Sequence, residues 1–195
     1  NELQFSNEEI YTICQSNKLI SLIFIDEKIL VITESIKDRI IMNRHRDPYY
    51  PIYFYLEIED FLSENEKKEI KNEYDKLELS TSDFDLNRRI GENDAYICEL
   101  IRDDLVEDFI TLMNRKNIPF NSRIEPSVFE TNRFLIKNKP SLIEYAAFYG
   151  SIQIFKYLYL CRNDLLKPSV WNYVIHGRNP ELVHFLEENS IQTID

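Results

Sequence analysis

The sequence predicts an all-α protein in which an N-terminal helical domain is followed by stacked antiparallel helix pairs of the α-solenoid type. Three observations support this fold class. The 195 residues include only three glycines, too few for the turns of an all-β fold or for the phosphate loops of nucleotide-binding folds. Apolar residues recur at helical spacing behind capping residues. Residues 141–158 repeat without gaps as residues 169–186, an offset of 28 (169 minus 141).

Composition and charge restrict the classes of partner. Hydrophobic residues make up 44% of the chain and aromatic residues 13%, so the chain can bury a core and does not belong to the disordered class. The 23 basic and 34 acidic side chains give a formal charge of −11. That charge repels nucleic-acid phosphates and anionic membrane surfaces, so we expect neither as a partner.

Cysteine usage indicates the compartment. Cys14, Cys98 and Cys161 lie far apart and are odd in number, which favours buried thiols in a reducing compartment over a disulfide framework. No apolar run reaches the roughly 18 residues of a membrane helix. We therefore expect a soluble, cytoplasmic protein.

The first ninety residues are predicted to form a helical domain. Ser6 with Glu9, and Ser63 with Glu66, have the spacing of capping boxes. Helices are expected after each of these serines, the second running to about residue 79, and over residues 18–24, 27–42 and 52–62. Residues 80–94 have the composition of a loop. We place the boundary there, with domains at residues 1–90 and 91–195.

Two features of this domain allow more than one interpretation. An aromatic cluster, made of Tyr49, Tyr50, Tyr53, Phe54 and Tyr55, could stack on bases, but acidic rather than basic residues follow it. We interpret the cluster as packing at a helix junction, with a protein-contact role for exposed tyrosines as the alternative. The acidic stretch 57–85 is interpreted as a solvated helix face, and a docking surface for a basic partner is its alternative.

Each copy of the 28-residue repeat describes two short antiparallel helices. In the first copy Ser141 and Glu144 form a capping box, and Gly150 supplies the left-handed residue that ends the first helix. Ser151 is expected to cap the second helix. In the next copy Ser169 is the expected cap of the first helix. Asn179 followed by proline begins the second.

A weaker third copy precedes these two. Residues 99–112 overlay on residues 145–158 at an offset of 46 (145 minus 99), with Phe109 on Phe155 and Leu112 on Leu158. The copies therefore lie near residues 95–113, 141–160 and 169–188. The excess length falls in residues 114–140, where Ser127 and Glu130 have capping-box spacing and predict an additional helix.

The repeat resembles the ankyrin consensus Thr-Pro-Leu-His-x-Ala-Ala-x-x-Gly-His-x-Glu-Ile-Val-Lys-x-Leu. The first copy matches it at Ala146, Ala147, Gly150, Ile154, Lys156 and Leu158. The wider stretch that starts at residue 129 is similar to an uncharacterised, ankyrin-associated domain family expanded in parasitic protists. The resemblance covers roughly residues 94–190, and it implies a stack of helix pairs that binds other proteins.

The resemblance also implies a partner-binding surface. In ankyrin arrays the first helices line a concave face, and the corresponding positions here are Phe148, Tyr149, Asn172 and His176. Plain core packing is the alternative for Phe148. The period of 28 rather than about 33 residues predicts clipped β-hairpin fingers. Arg178 replaces the glycine that ends the first helix, and we expect the adjacent Gly177 to take that role.

No catalytic residue, metal site or cofactor is expected. His176 and His184 lie on different predicted helices, and Cys161 does not complete a zinc-binding cluster with them. Catalytic pairings of Cys161 or Glu144 with His176 belong to no recognisable motif and meet little of the geometric requirement for catalysis. We therefore expect a protein that is not an enzyme.

Two functional hypotheses follow. The first is a module that binds another protein, of unknown identity, through the concave face. The second is a structural N-terminal cap of a longer ankyrin array with no ligand of its own. An apolar edge exposed at Leu182, Phe185 and Leu186 would favour the second hypothesis, and it would allow self-association through the C-terminal repeat.

Overall fold

A computed structural model describes residues 5–161 and 166–191. Over these residues the regular structure is helical, as predicted, and the one extended pairing is an isolated bridge between Arg123 and Ser141. In the same part of the chain no helix has the length and apolar character needed to cross a membrane. Two compact units are present. Unit 1 contains the described residues up to Asn93 together with Pro126–Lys137, and unit 2 contains Asp94–Glu125 and the described residues from Asn138 onward.

Unit 1 is built from short helices. They are α1 (Asn7–Cys14), α2 (Lys18–Asp26), α3 (Glu34–Met42), α4 (Tyr50–Tyr53), α5 (Tyr55–Ile58), α6 (Glu64–Asp75), α7 (Thr81–Ile90) and, later in the chain, α10 (Arg133–Asn138). The capping boxes of Ser6 with Glu9 and of Ser63 with Glu66 begin α1 and α6, which confirms both predictions.

Three predicted elements of unit 1 differ from the structure. The helix expected over residues 27–42 begins only at Glu34, because the Thr33 side chain caps it by accepting from the amide of Ile36. The helix expected over residues 52–62 is divided into α4, α5 and a 3-10 turn. The loop expected over residues 80–94 is wrong: α7 lies there, capped by Ser80, and it buries Phe84.

Aromatic side chains dominate the core of unit 1. Tyr50, Tyr53, Phe54 and Tyr55 are all buried, so the interpretation of this cluster as helix-junction packing is confirmed. Pro126–Lys137 contributes to the same core, since Phe129 packs edge-on against Phe84 with ring centroids 5.4 Å apart.

Two buried cations connect the elements of unit 1. The Arg88 guanidinium donates to both carboxylate oxygens of Glu57 at 2.7 Å and to the carbonyl of Tyr53. The Lys18 ammonium lies 2.9 Å from the Asp47 carboxylate and donates to the carbonyl of Val128 at 2.8 Å. Because burial of an unpaired charge is costly, these partners are what allow both cations to stay buried.

The helix predicted from the spacing of Ser127 and Glu130 is absent. Instead the Ser127 hydroxyl accepts from the amide of Phe129, and the Glu130 carboxylate accepts from the amide of Asn132, which are local turns. Side chains that bond their own backbone two residues on compete with helix formation. The segment is held in unit 1 by Thr131, whose amide and hydroxyl both donate to the carbonyl of Gly91.

The described residues of unit 2 form three helix pairs. They are α8 (Tyr96–Arg102) with α9 (Val106–Lys116), α11 (Leu142–Tyr149) with α12 (Ile152–Cys161), and α13 (Val170–Gly177) with α14 (Pro180–Glu188). The starts of α13 and α14 lie 28 residues after those of α11 and α12, and the starts of α8 and α9 lie 46 residues before them. The helix boundaries therefore follow the repeat read from the sequence.

Neighbouring pairs in unit 2 contact each other through equivalent helices. The first helices pack side by side, α8 against α11 and α11 against α13, and α9 packs against α12. Phe155 of α12 meets Phe185 of α14 edge-on, with ring centroids 5.9 Å apart. Apolar stripes that no single pair could bury are thus covered by the next pair.

Capping in unit 2 agrees with the sequence in part. Ser141 with Glu144 forms the expected capping box, Gly150 is left-handed with φ 74°, and Asn179 caps α14. The expected role of Ser151 is wrong, because its buried hydroxyl donates to the carbonyl of Ile101. The Asp104 carboxylate caps α12 instead, accepting from the amides of Gln153 and Ile154 at 3.0 Å.

The ends of α13 correct two further expectations. Ser169 precedes α13 but makes no side-chain capping bond. Arg178 itself adopts the left-handed conformation with φ 49°, so Gly177 is not the residue that ends the helix. Gly177 belongs to the last turn of α13, where it lies against the backbone of α11.

The apolar edge whose exposure would favour the structural-cap hypothesis is buried at two of its three residues and half-buried at the third. Leu182 and Leu186 are fully buried, and Phe185 packs edge-on against Tyr159 with ring centroids 5.1 Å apart. Ile175 of α13 is 66% exposed, although Ala147, its equivalent 28 residues earlier, is fully buried. An apolar surface of this pair therefore lies on α13 rather than on α14.

Candidate functional site

The first helices of unit 2 run in the same direction. Gly177, at the end of α13, lies against Ala147, Phe148 and Gly150 at the end of α11. The Asn179 side chain, just beyond α13, donates to the carbonyl of Gly150 at 2.7 Å. This alignment places corresponding residues of the two helices side by side.

A row of aromatic side chains crosses the ends of these helices. The ring of Tyr149 lies 4.8 Å from that of Tyr145 and 5.1 Å from that of Phe148, and Phe148 lies 5.2 Å from the imidazole of His176. At the α8 end, the Arg102 guanidinium donates to the Tyr145 hydroxyl at 3.2 Å and lies 6.0 Å from the centre of the Tyr149 ring. We call these five residues the aromatic row.

The structure brings together three of the four predicted contact residues. Phe148 and Tyr149 are half-buried and His176 is exposed, and all three belong to the aromatic row. Asn172 is exposed and precedes His176 by four residues on α13, so it lies one turn away on the same face. Phe148 is half-buried beside the exposed imidazole of His176.

Sequence reasoning missed Arg102 and Tyr145. The signal for Arg102 was available, because the offsets of 46 and 28 place Arg102, Phe148 and His176 at one equivalent position of the three pairs (148 minus 102, and 176 minus 148). Tyr145 is fully buried at the base of the row. Only its contacts with Arg102 and Tyr149 reveal that it supports the surface residues.

A pocket of about 230 Å³ lies at the other end of α11 and α13, where both helices begin. Its floor is apolar, formed by the buried side chains of Ile143, Leu166 and Val170, and Phe120 forms a wall. The polar residues around it are Asn121, Arg123, Ser141, Glu144 and Lys167.

The acidic group of this pocket is already bound within the chain. The Glu144 carboxylate accepts from the amide and hydroxyl of Ser141 at 2.8 and 2.9 Å. Burial, followed by the nearby Glu144 carboxylate, raises the pKa of Tyr173 to about 12, and Arg123 acts in the opposite direction. Arg123 and Lys167 are exposed, whereas Glu144 is half-buried.

The pairing of Glu144 with His176 that was considered from the sequence is not assembled by these contacts. Glu144 is held by Ser141 at the start of α11, whereas His176 stacks on Phe148 at its end. His184 lies on α14 beside Glu187, with both side chains mostly exposed. Across residues 5–161 and 166–191, no three His, Cys, Asp or Glu side chains are grouped so that they could hold a metal ion.

Comparison with known proteins identified no relative of this chain. No protein-family model, no curated protein and no solved structure matches the chain. The ankyrin resemblance of residues 141–158 stays a prediction, and the function has to be inferred from the geometry of the chain itself.

Proposed function

We propose that unit 2 is a protein-binding module of the ankyrin type, and that it contacts its partner through the exposed face of α8, α11 and α13. The observation that carries the proposal is the aromatic row. Its members come from the first helices of the three pairs, and all of them except the buried Tyr145 are half-buried or exposed. Aromatic and arginine side chains are the types enriched at protein interfaces and among the residues that dominate binding energy.

The stacking within the row supports this role. Each ring is held by a neighbouring ring or guanidinium at 4.8 to 6.0 Å, so little side-chain freedom remains to be lost on binding. His176 and Asn172 add exposed polar groups beside the apolar surfaces. The parallel first helices and the left-handed Gly150 support an ankyrin-type arrangement of the pairs.

The test is affinity capture from native cytosol with two matched variants of the whole chain. Tyr149→Ala combined with His176→Ala removes two members of the aromatic row. Lys156→Ala combined with His184→Ala changes two exposed residues of the second helices α12 and α14. Both variants are first checked for unchanged melting temperature.

We expect a protein that is captured by the wild type and by the α12/α14 variant, and lost with the aromatic-row variant. Equal capture by all three proteins, or loss with the α12/α14 variant alone, would reject the aromatic row as the binding surface.

A second candidate function is a structural edge that packs against a further helix pair or a second copy of this chain. The exposed Ile175, at the position where Ala147 is fully buried by its neighbour, favours it. Light scattering over a range of protein concentrations tests the second-copy form. Association that Ile175→Glu abolishes, and that Leu160→Glu on α12 leaves unchanged, would support this candidate; a monomer at every concentration would remove it.

A further inference from the structure

We infer that the pocket at the start of α11 and α13 binds an apolar side chain of a partner segment in which acidic residues flank that side chain. The inference rests on the proposed function, because it names the chemistry of a partner of unit 2. The pocket is separate from the aromatic row: its residues on α11 and just before it are Ser141, Ile143 and Glu144, whereas Phe148 and Tyr149 lie at the opposite end of α11.

The size and lining of the pocket fit a single side chain. Its volume of about 230 Å³ is below the roughly 300 to 1,000 Å³ of sites for small molecules and cofactors. Ile143 and Val170 are buried lining residues, with exposures of 2% and 1%, and Phe120, which is 36% exposed, supplies apolar surface that a ligand can reach. An aliphatic or aromatic side chain placed there would lose its contact with water, which is how anchor residues contribute most of the binding energy at protein interfaces.

The charges around the pocket determine which residues of the partner segment should flank its apolar side chain. Arg123 and Lys167 are exposed on its rim, and Arg123 donates through Nη1 to the carbonyl of Lys139. The one carboxylate of the lining, Glu144, is bound by Ser141, and its other oxygen lies 3.5 Å from the Ser169 hydroxyl. The lining therefore carries a net formal charge of +1 (two cations minus one carboxylate), and its exposed charged side chains are the two cations, although the whole chain carries a charge of −11. Carboxylates beside the anchor complement this rim, and basic residues there would be repelled.

The distribution of acidic residues in unit 2 agrees with this polarity. The second helices carry exposed acids at Glu107 and Asp108 on α9 and at Glu181, Glu187 and Glu188 on α14. Between the start of α11 and the end of α13, the described first helices carry Glu144 as their only acid, in a capping box. An acidic segment would thus meet less repulsion along α11 and α13 than along α9 and α14.

The experiment uses two matched sets of four labelled peptides and the whole chain. Each peptide of the first set has a central leucine, isoleucine, phenylalanine or tryptophan, with two aspartates on either side. The second set has lysines in place of the aspartates. Fluorescence anisotropy measures the affinity of each peptide for the wild type and for three variants: Arg123→Glu with Lys167→Glu, Phe120→Ala, and the control Arg115→Glu with Lys156→Glu. The control makes the same change in charge on α9 and α12.

We expect at least one aspartate peptide to bind the wild type and the control, and the lysine peptides to bind neither. Reversal of the charges of Arg123 and Lys167 should weaken binding about tenfold, and Phe120→Ala should also weaken it. The inference is overturned if none of the four aspartate peptides binds, if the lysine peptides bind as tightly, or if the control loses as much affinity as the pocket variant.

Failure of this inference is distinguishable from failure of the proposed function. The aromatic-row variant, Tyr149→Ala with His176→Ala, should bind the aspartate peptides as the wild type does. A result in which the aspartate peptides show no binding, while capture from cytosol still depends on the aromatic row, would reject the pocket as a binding site and leave the proposed function standing.

Discussion

Gly177 lies so close to the carbonyl oxygen of Ala147 that a Cβ atom added to it would be 2.3 Å from that oxygen. The amide nitrogen of Gly150 and the carbonyl oxygen of Phe148 lie 3.1 and 3.2 Å from the same point. The last turn of α13 therefore rests directly on the backbone at the end of α11. This close approach brings His176 onto Phe148, so the aromatic row depends on a residue without a side chain.

Gly177→Ala is expected to destabilise the protein, by about 1 to 3 kcal/mol, because the added methyl group forces α13 away from α11. In an open helix the same change would stabilise by about 1 kcal/mol, since alanine is the better helix former. Urea denaturation measures the free energy of unfolding. Asn172→Ala, an exposed change on the same helix, is the control, and a Gly177→Ala variant at least as stable as the wild type would contradict the packing described.

Asp104 is expected to stabilise α12 from outside that helix pair. It has a left-handed backbone with φ 52°, so Asp104→Gly removes the capping carboxylate without backbone strain. The expected loss is about 1 kcal/mol of unfolding free energy, and Asp104→Asn should lose less because an acceptor oxygen remains. Asn117→Gly, at another left-handed position, is the control for glycine flexibility. Equal losses of unfolding free energy in Asp104→Gly and Asn117→Gly would contradict the capping role of Asp104.

The buried pair of Lys18 and Asp47 is expected to be sensitive to the loss of one partner. Their side chains are 3% and 10% exposed, so Lys18→Met leaves a carboxylate buried without its cation and should cost roughly 3 to 5 kcal/mol. Adding Asp47→Leu should recover part of that loss. Lys67→Met, which breaks the partly exposed pair with Glu59, should cost about 1 kcal/mol or less. Similar melting temperatures for Lys18→Met and Lys67→Met would contradict this account.

Alkaline pH is expected to unfold the protein cooperatively. Burial raises the pKa values of Tyr11, Tyr50 and Tyr53 above the ordinary 10.0. The unfolded chain therefore releases these protons at lower pH than the folded chain, and stability falls as the pH rises above about 10. Tyrosinate absorbance and helical circular dichroism, followed in one titration, should change together for these residues. Smooth ionisation of all 12 tyrosines with the helices intact would show that the three are accessible.

Many features set by neighbouring residues in the chain were predictable, although Ser127 and Glu130, at capping-box spacing, form local turns instead of a helix. The capping boxes at Ser6, Ser63 and Ser141 each join residues three positions apart, and all three form as predicted. The repeat offset likewise locates the helices of unit 2, because apolar spacing is a local property. Phe148, Tyr149 and His176 came together for the same reason: equivalent positions of stacked pairs are neighbours.

Features that depend on distant residues were not predictable from one sequence. Residues 80–94 read as a loop, yet α7 forms there, burying Phe84 against Phe129 and binding Arg88 to Glu57. The capping of α12 by Asp104 joins residues 49 and 50 positions apart, and the pocket combines loops before two helices. Such tertiary contacts override local composition.

The interruption of unit 1 by residues 94–125 bears on how the chain is made. Val128 and Phe129 belong to the core of unit 1, so a ribosome must synthesise α8 and α9 before that core can close. During synthesis the first ninety residues therefore cannot complete their core until residues 126–137 have emerged. The same topology means that a single proteolytic cut between Asn93 and Asp94 leaves unit 1 incomplete, since its piece Pro126–Lys137 stays on the fragment that carries unit 2.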